Sequence, residues 1–416
     1  MPAISPLRVV IVGGSVTGLT LANCFEKAGI DYVLLEKGTN IVYEGGASIG
    51  LMANGLRIMD QLDVFEAIRK TTEPLAVTYH RTPDGIPYGS SNYMHSLEER
   101  HGYPSLFFER QELLQILCNR ISRESNVHTA RKVVEIQTNE LGVKVITAEG
   151  DVYEGDIVVG ADGVNSAVRR CMWKDVEPKH PTLVKKESTG AWPALFSEYC
   201  CIFGISTVTE SYDGFSPGVS NIVYDRDIAL GAIIGINGKV FWFIFIKMDA
   251  KYYAPNIPRF TPADAEALAE KHKHRKISKD ATFDDLWRTR SRCTIVALEE
   301  GVTGTWFNNR TVLVGDSAHK MTPNAGQGGN TAIESAALLT NLLYRARAEK
   351  HGAPFATEDF TKIFAGYQTR QKPRADTMFE ASNLLTRLQT HETGPLGFLA
   401  TYGLPILGKL STAAIS

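Results

Sequence analysis

A strand that ends in closely spaced glycines and opens directly into a helix can hold a pyrophosphate. Residues Leu7 to Val12 are apolar and largely β-branched, Gly13-Gly14-Ser15-Val16-Thr17-Gly18 follows, and a helical pattern runs on to about Ala28. Backbone N–H groups and the helix dipole converge on an anion in such a turn. Gly13 takes the tight-turn place and Gly18 the place where helix packs on strand. Gly14 lies between them, and Ser15 stands where a middle glycine is usual, adding only a hydroxymethyl. The next β run, Tyr32 to Leu35, ends at Glu36, followed by Lys37. A carboxylate at that place accepts hydrogen bonds from an adenosine ribose and repels a 2′-phosphate.

Three further constellations lie downstream. The apolar run Ile157 to Val159 leads into Gly160-Ala161-Asp162-Gly163, and Thr311 to Val314 leads into Gly315-Asp316-Ser317-Ala318-His319. Pro323-Asn324-Ala325-Gly326-Gln327-Gly328-Gly329-Asn330 then precedes a long helix beginning near Gly328. Gly326, Gly328 and Gly329 expose backbone N–H groups at a helix N-terminus, which favours negative charge placed there. Arg110 opens a helix over 110–121 whose apolar stripe is Leu113, Leu114, Ile116, Leu117 and Ile121. His319 reads as a packing residue.

These residues need elements to carry them. The first turn belongs to a βαβ unit of roughly 30 residues. A loop and then a helix occupy 47–70, and a β meander covers about 127–154. Residues 199–247 are rich in β-branched and aromatic types, with Asn237-Gly238 as a hairpin turn and Val240 to Lys247 as a strand. A charged helix follows over about 262–276, and α/β character returns at Thr311. The expected fold class is α/β (α+β): a Rossmann-like nucleotide-binding domain formed by 1–183 and 296–375, an inserted β-sheet substrate domain over 184–295, and a C-terminal helical, partly apolar segment over 376–416.

Composition narrows the classes. The chain has 416 residues, enough for two domains, and is 44% hydrophobic and 22% charged with a formal net charge of −2. That balance does not suit nucleic acid or a general attraction to anionic lipid. Six cysteines without a C-x-x-C read as thiols in a reducing, intracellular compartment. No metal-spaced histidine cluster is visible. The N-terminus lacks the basic region and long apolar core of a signal peptide. From Gly394 to Ser416 the chain is mostly small or apolar with one charge, Lys409. Two readings stand open for it: a helix pair packed on the protein, or a segment that meets a membrane.

Taken together, Val12-Gly13-Gly14-Ser15 to Leu19, Glu36, Gly160-Ala161-Asp162-Gly163 and Gly315-Asp316-Ser317-Ala318-His319 resemble the single-component flavin monooxygenases of the para-hydroxybenzoate hydroxylase type, in that family's order and spacing. The resemblance covers nearly the whole chain. It implies FAD as cofactor and NAD(P)H as co-substrate. Gly13, Gly14, Ser15 and Gly18 would hold the FAD pyrophosphate, with Glu36 and Lys37 at the adenosine ribose. Arg110 would contact FAD near its phosphates and ribityl chain. Asp162 would lie between FAD and the nicotinamide, and Asp316 at the ribityl hydroxyls. Pro323, Gly326, Gly328 and Gly329 would lie beside the isoalloxazine. No second dinucleotide turn is present, in keeping with a family whose reductant docks transiently.

Within that family the nearest resemblance is to fungal epoxidases of prenyl chains in meroterpenoids and indole diterpenes. It is carried by Gly29 to Lys37, Gly46-Ala47-Ser48-Ile49-Gly50, Cys201 to Ser206 and Val240 to Phe243. It places Gly50 with its backbone close to the flavin and Tyr224 as a candidate catalytic residue. It implies a small apolar organic substrate and O2 as partners. The implied sequence is reduction of FAD, addition of O2 at C4a to give a hydroperoxide, and transfer of its distal oxygen to an alkene in a dry pocket. Phe203, Phe241, Trp242, Phe243 and Phe245 would supply that pocket, about half of them serving as plain core. Aromatic hydroxylation on the same fold is the competing reading. A halogenase lacks its W-x-W-x-I-P motif here, and a non-catalytic flavin binder is at odds with the complete set of motifs.

Overall fold

The computed structural model describes residues 6–43, 46, 48–176 and 195–403. The 183/184 boundary, Ala47 and the last stretch of the apolar C-terminus fall outside them.

Two sheets organise the chain. The first has the order Phe307–Asn308, Thr311–Leu313, Ile157–Gly160, Arg8–Val12, Asp31–Leu35, Val127–His128. All its pairings are parallel except that of the first two strands. Buried on both faces, its central strands are continuous apolar runs: Val9, Val10, Ile11, Val158, Val159 and Val312 are all inaccessible. Helix Val16–Ala28 packs between this sheet and helix Gln327–Glu349, so the first glycine turn and the Pro323–Asn330 segment lie on the same side. The N-terminus of each helix therefore opens towards one region.

The second sheet has seven strands in the order Arg290–Ala297, Phe196–Thr207, Lys239–Tyr253, Ile228–Ile234, Val219–Asp225, Val77–Arg81, Pro87–Ser91. It is antiparallel apart from the pairing of Val219–Asp225 with Val77–Arg81. Residues 184–295 therefore do not complete this sheet. Two of its strands come from 77–91, which the sequence pattern assigns to the nucleotide-binding part. The reason is that Val77–Arg81 is partly buried along most of its length, with no alternation of burial between its two faces to mark which sheet it joins. Asn237 and Gly238 both have positive φ, the backbone of a two-residue hairpin turn.

One face of the second sheet is sealed by helices Pro262–His272 and Phe283–Arg288. Trp242 is wholly buried there against Phe283 and Trp287, its indole N–H donating to Ser206 Oγ at 2.8 Å. The opposite face carries Phe203, Phe243 and Phe245 towards the first sheet. Alternation thus divides the aromatic run between core and cavity.

Helix Thr357–Gln389 is continuous across the expected 375/376 boundary, which has no structural counterpart. A short helix, Gly394–Phe398, and one π-helical turn, Leu399–Gly403, follow, with Ala400 buried and Phe398 and Tyr402 exposed. Among the described residues no helix is long and apolar enough to cross a membrane. The cysteines form no disulfide, and Cys200 and Cys201 are both buried.

Candidate active site

Between the two sheets lies a cavity of about 1300 Å³. Ser15, Gly50, Arg110, Asp316, Pro323, Gly326, Gly328 and Gly329 line it, which brings eight of the sequence-selected residues around one space. Its far wall is Phe203, Phe243, Phe245, Ile222, Leu230 and Ile233 from the second sheet. A second cavity of about 970 Å³ lies alongside, sharing Ser48, Phe203, Phe243, Val296, Lys320, Met321 and Pro323 with the first.

The glycine turn is tightly built. Gly13 has φ +107°, and its N–H donates to Leu35 O at 2.8 Å. A Cβ on Gly18 would lie 1.8 Å from Gly13 O, so only glycine fits where the helix crosses the strand end. Ser15 Oγ accepts from Arg110 at 2.8 Å, and Arg110 also donates to Tyr43 OH at 2.9 Å. The departure from a middle glycine thus gives Arg110 an anchor. Glu36 accepts from Gly14 N at 2.7 Å and Gly38 N at 2.8 Å. A carboxylate offers about four acceptor positions, so capacity remains for ribose hydroxyls. Lys37 is exposed beside it.

Asp162 is placed differently from the motif residues just described. Its carboxylate accepts from Ser166 Oγ at 2.5 Å and from the N–H groups of Ala167 (2.7 Å) and Val168 (3.1 Å), capping helix Ala167–Val176. Burial raises its pKa against those hydrogen bonds. It lines neither cavity, whereas the neighbouring Val164, Asn165, Arg169 and Arg170 line the smaller one.

The Pro323–Asn330 segment forms a single turn of 3-10 helix, a left-handed Gly326 (φ +64°), and then helix Gln327–Glu349. A Cβ on Gly328 would meet no atom within 4 Å beyond its chain neighbours and its own helix backbone, although Gly328 lines the cavity. Packing within the chain therefore does not require glycine there, while close approach of a ligand to the backbone would. With the anion-accepting turn and the ribose-type carboxylate, this open cradle fits FAD.

Sequence reasoning passed over several residues that the structure brings to the site. Asn330 is fully buried; its amide donates to Gly50 O (2.9 Å) and Gly326 O (2.7 Å) and accepts from Met52 N (3.0 Å). It ties strand Ser48–Leu51 to the helix start. Phe107 lines the cavity and packs edge-on against Phe241 and Phe243. Lys320, one residue past the motif that was read, lines both cavities and donates to Asp316 at 2.5 Å. A lysine immediately after Gly315–His319 was the available signal.

Tyr224 is 3% exposed and lines neither cavity. Its hydroxyl bonds His80 Nδ1 at 2.8 Å and Gln389, and its ring stacks on His391 and meets Tyr88 edge-on. Burial raises the Tyr224 pKa and lowers that of His80. Gln389 does line the larger cavity, and it accepts from Asn324 at 2.6 Å. Tyr224 is thus linked to the glycine-rich segment from behind the wall. His319 is buried, with Nε2 bonded to Ser335 Oγ at 3.1 Å and its ring against Trp306, which matches a packing role.

The FAD binding domain family model matches residues 6–192 and 219–353 of this chain. A protein described as FAD-dependent monooxygenase atmM, from Aspergillus flavus, is 39% identical over 97% of this chain and 83% of its own length. The chain belongs to the FAD-dependent monooxygenases. A second such monooxygenase, nodM from Hypoxylon pulicicidum, is 40% identical over 98% of this chain and 87% of its own. Among solved structures, Klebsiella pneumoniae HpxO complexed with FAD and uric acid superposes with a TM-score of 0.75 at 18% identity, covering 96% of this chain and 92% of that one. A salicylate hydroxylase substrate complex gives 0.72 at 18% identity, covering 97% and 96%. Those two likenesses show the fold. In this FAD-dependent monooxygenase the glycine-rich segments and the aromatic wall line the same cavity.

Proposed function

We propose that this monooxygenase takes two electrons from NAD(P)H and inserts one oxygen atom into an alkene of an apolar, prenylated substrate, giving an epoxide. The net reaction is alkene + O2 + NAD(P)H + H+ → epoxide + NAD(P)+ + H2O. The chemistry that bound FAD supplies is carriage of two electrons to O2 and activation of one oxygen atom. The glycine turn from Gly13 to Gly18 would seat its pyrophosphate, the N–H groups of Gly13 and Gly14 bracing the turn on Leu35 O and Glu36 and the first-turn N–H groups of helix Val16–Ala28 being the donors. Glu36 would hold its adenosine ribose and Asp316 its ribityl chain. Arg110 would neutralise phosphate charge, and the N-terminus of helix Gln327–Glu349 would favour the reduced form.

The observation that carries the alkene reading is the aromatic and aliphatic wall formed by Phe203, Phe243, Phe245, Ile222, Leu230 and Ile233. Among the described residues lining the larger cavity, Asp316 is the single carboxylate, and it is paired with Lys320. Such a wall excludes water and orients a greasy chain without ionising it. The resemblance to fungal prenyl-chain epoxidases supports the same substrate class.

One observation favours aromatic hydroxylation instead: the hydrogen-bond chain from His80 through Tyr224 to Gln389, which ends on the cavity wall. NAD(P)H oxidation by FAD-loaded enzyme decides between them. It would be followed with and without a farnesylated or geranylgeranylated aromatic, with mass spectrometry of the product. Stimulated turnover with one oxygen on the prenyl chain is expected. Stimulation by a simple phenol, with oxygen on the ring, would overturn the alkene reading.

A further inference from the structure

Among the described residues common to both cavities, Lys320 is the single charged one. Its ammonium rests on Asp316 Oδ2 at 2.5 Å, and its side chain is 30% exposed. The backbone beneath it is fixed: His319–Lys320 pairs with Gly301–Val302, and Val302 and His319 are buried. Three residues later Pro323 begins the turn that leads into helix Gln327–Glu349. The charges that act on Lys320 besides Asp316 are Glu299, on the smaller cavity, and Arg110, on the larger.

The surroundings set up a specific electrostatic problem. Oxidised FAD has a neutral ring system, whereas hydride transfer (FAD + NAD(P)H → FADH− + NAD(P)+) adds two electrons and one proton and leaves one new negative charge. The helix N-terminus at Gln327 contributes only about half a positive charge, and its position is fixed. Lysine carries a full point charge on a flexible stem with three donors. A lysine rooted in a rigid strand, with open space on two sides and a carboxylate for a resting partner, can turn from one anion towards another without moving the backbone.

We propose that Lys320 is a movable counter-charge of the flavin site, resting on Asp316 while the cofactor is oxidised and shared with it once reduction has added negative charge. This rests on the reading that FAD occupies the larger cavity and is reduced by two electrons there. Lys320 would then favour reduced over oxidised cofactor without being needed to hold the oxidised form. Burial opposes its charge and Asp316 outweighs that opposition, so the ammonium stays protonated and available.

The test is the midpoint potential of the bound flavin, taken by equilibration with a reference dye under an artificial reductant. Wild type would be compared with Lys320→Met, Lys320→Gln and Lys320→Arg, alongside the FAD dissociation constant of each oxidised protein. Lys320→Met and Lys320→Gln are expected to disfavour reduction at least tenfold, a fall of about 30 mV for a two-electron couple. Lys320→Arg should keep most of the wild-type value, and all three should bind oxidised FAD within about threefold of it. An unchanged potential in Lys320→Met overturns the proposal. So does loss of oxidised FAD from both neutral variants, because Lys320 would then be holding the cofactor rather than answering its charge. No nicotinamide or substrate enters the measurement. A wild-type protein that the artificial reductant reduces and NAD(P)H does not would sink the proposed function separately.

Discussion

Arg110 reaches back 95 residues to donate to the Ser15 hydroxyl at 2.8 Å, joining the opening of its own helix to the first glycine turn. The contact is close-fitting: a Cβ on Gly46 would lie 3.2 Å from the Arg110 guanidinium. A charge-assisted hydrogen bond from this guanidinium to an FAD phosphate would contribute about 1.5–3 kcal/mol. Arg110→Met should therefore weaken FAD binding roughly 10- to 100-fold, read by flavin fluorescence titration. Ser15→Gly keeps the turn and removes only the anchor, so a loss of a few-fold at most is expected. Wild-type affinity in Arg110→Met would show that the guanidinium holds the loop and not the cofactor.

Asn330 makes a separate prediction because it uses its amide on three backbone groups at once. Asn330→Ala leaves Gly50 O and Met52 N without their side-chain partner, at a cost on the order of 2–4 kcal/mol. Melting temperature and bound flavin should fall together, since strand Ser48–Leu51 and the helix start are both released. Loss of flavin at an unchanged melting temperature would contradict that coupling.

The candidate cofactor half of the site was legible in the sequence because its demands are local. A turn that needs glycine at Gly18, and a carboxylate at the end of the next strand, sit within one βαβ unit and leave a spacing that can be read. What stayed hidden depends on long-range pairing. Strand Val77–Arg81 shows a half-buried pattern that fits several sheets, and only its register with Val219–Asp225 decides its place. Asp162 has the composition of a ligand residue, but its carboxylate caps the following helix. Tyr224 has the right neighbourhood in the chain, yet its ring lies behind the cavity wall. Alternation did foretell that about half of the aromatic run would be plain core, because a strand fixes that parity whatever it pairs with; Trp242 is on the core side.

Stability should fall on the acid side through buried histidine. Burial lowers the His319 pKa to about 4, against an ordinary 6.5, with Asp316 and Asp376 opposing and Lys320 assisting; His272 is likewise lowered to about 4. Both are neutral when folded and take up protons more readily when unfolded. Their stabilisation is present above pH 6.5 and is lost as pH falls towards 4, by up to about 3 kcal/mol for His319. Denaturant midpoints between pH 7 and pH 4.5 should decline in wild type and decline less in His319→Gln. Parallel slopes would assign the acid loss to other groups.

Gly328 separates what the fold needs from what the cofactor needs. It is the second residue of helix Gln327–Glu349, and beyond its own helix backbone and chain neighbours a Cβ there meets nothing within 4 Å. Alanine also restricts the unfolded chain more than glycine, so Gly328→Ala should leave stability unchanged or raise it by about 0.5–1 kcal/mol. The same methyl would project into the space that FAD fills, because Gly328 lines the cavity. Flavin affinity is expected to drop at least tenfold while the apoprotein melts no lower than wild type. Gly18→Ala provides the contrast, since its Cβ would strike Gly13 O and should lower both. If Gly328→Ala binds FAD as wild type does, the glycine-rich segment lies away from the cofactor, and the placement of the isoalloxazine beside Gly326–Gly329 is wrong.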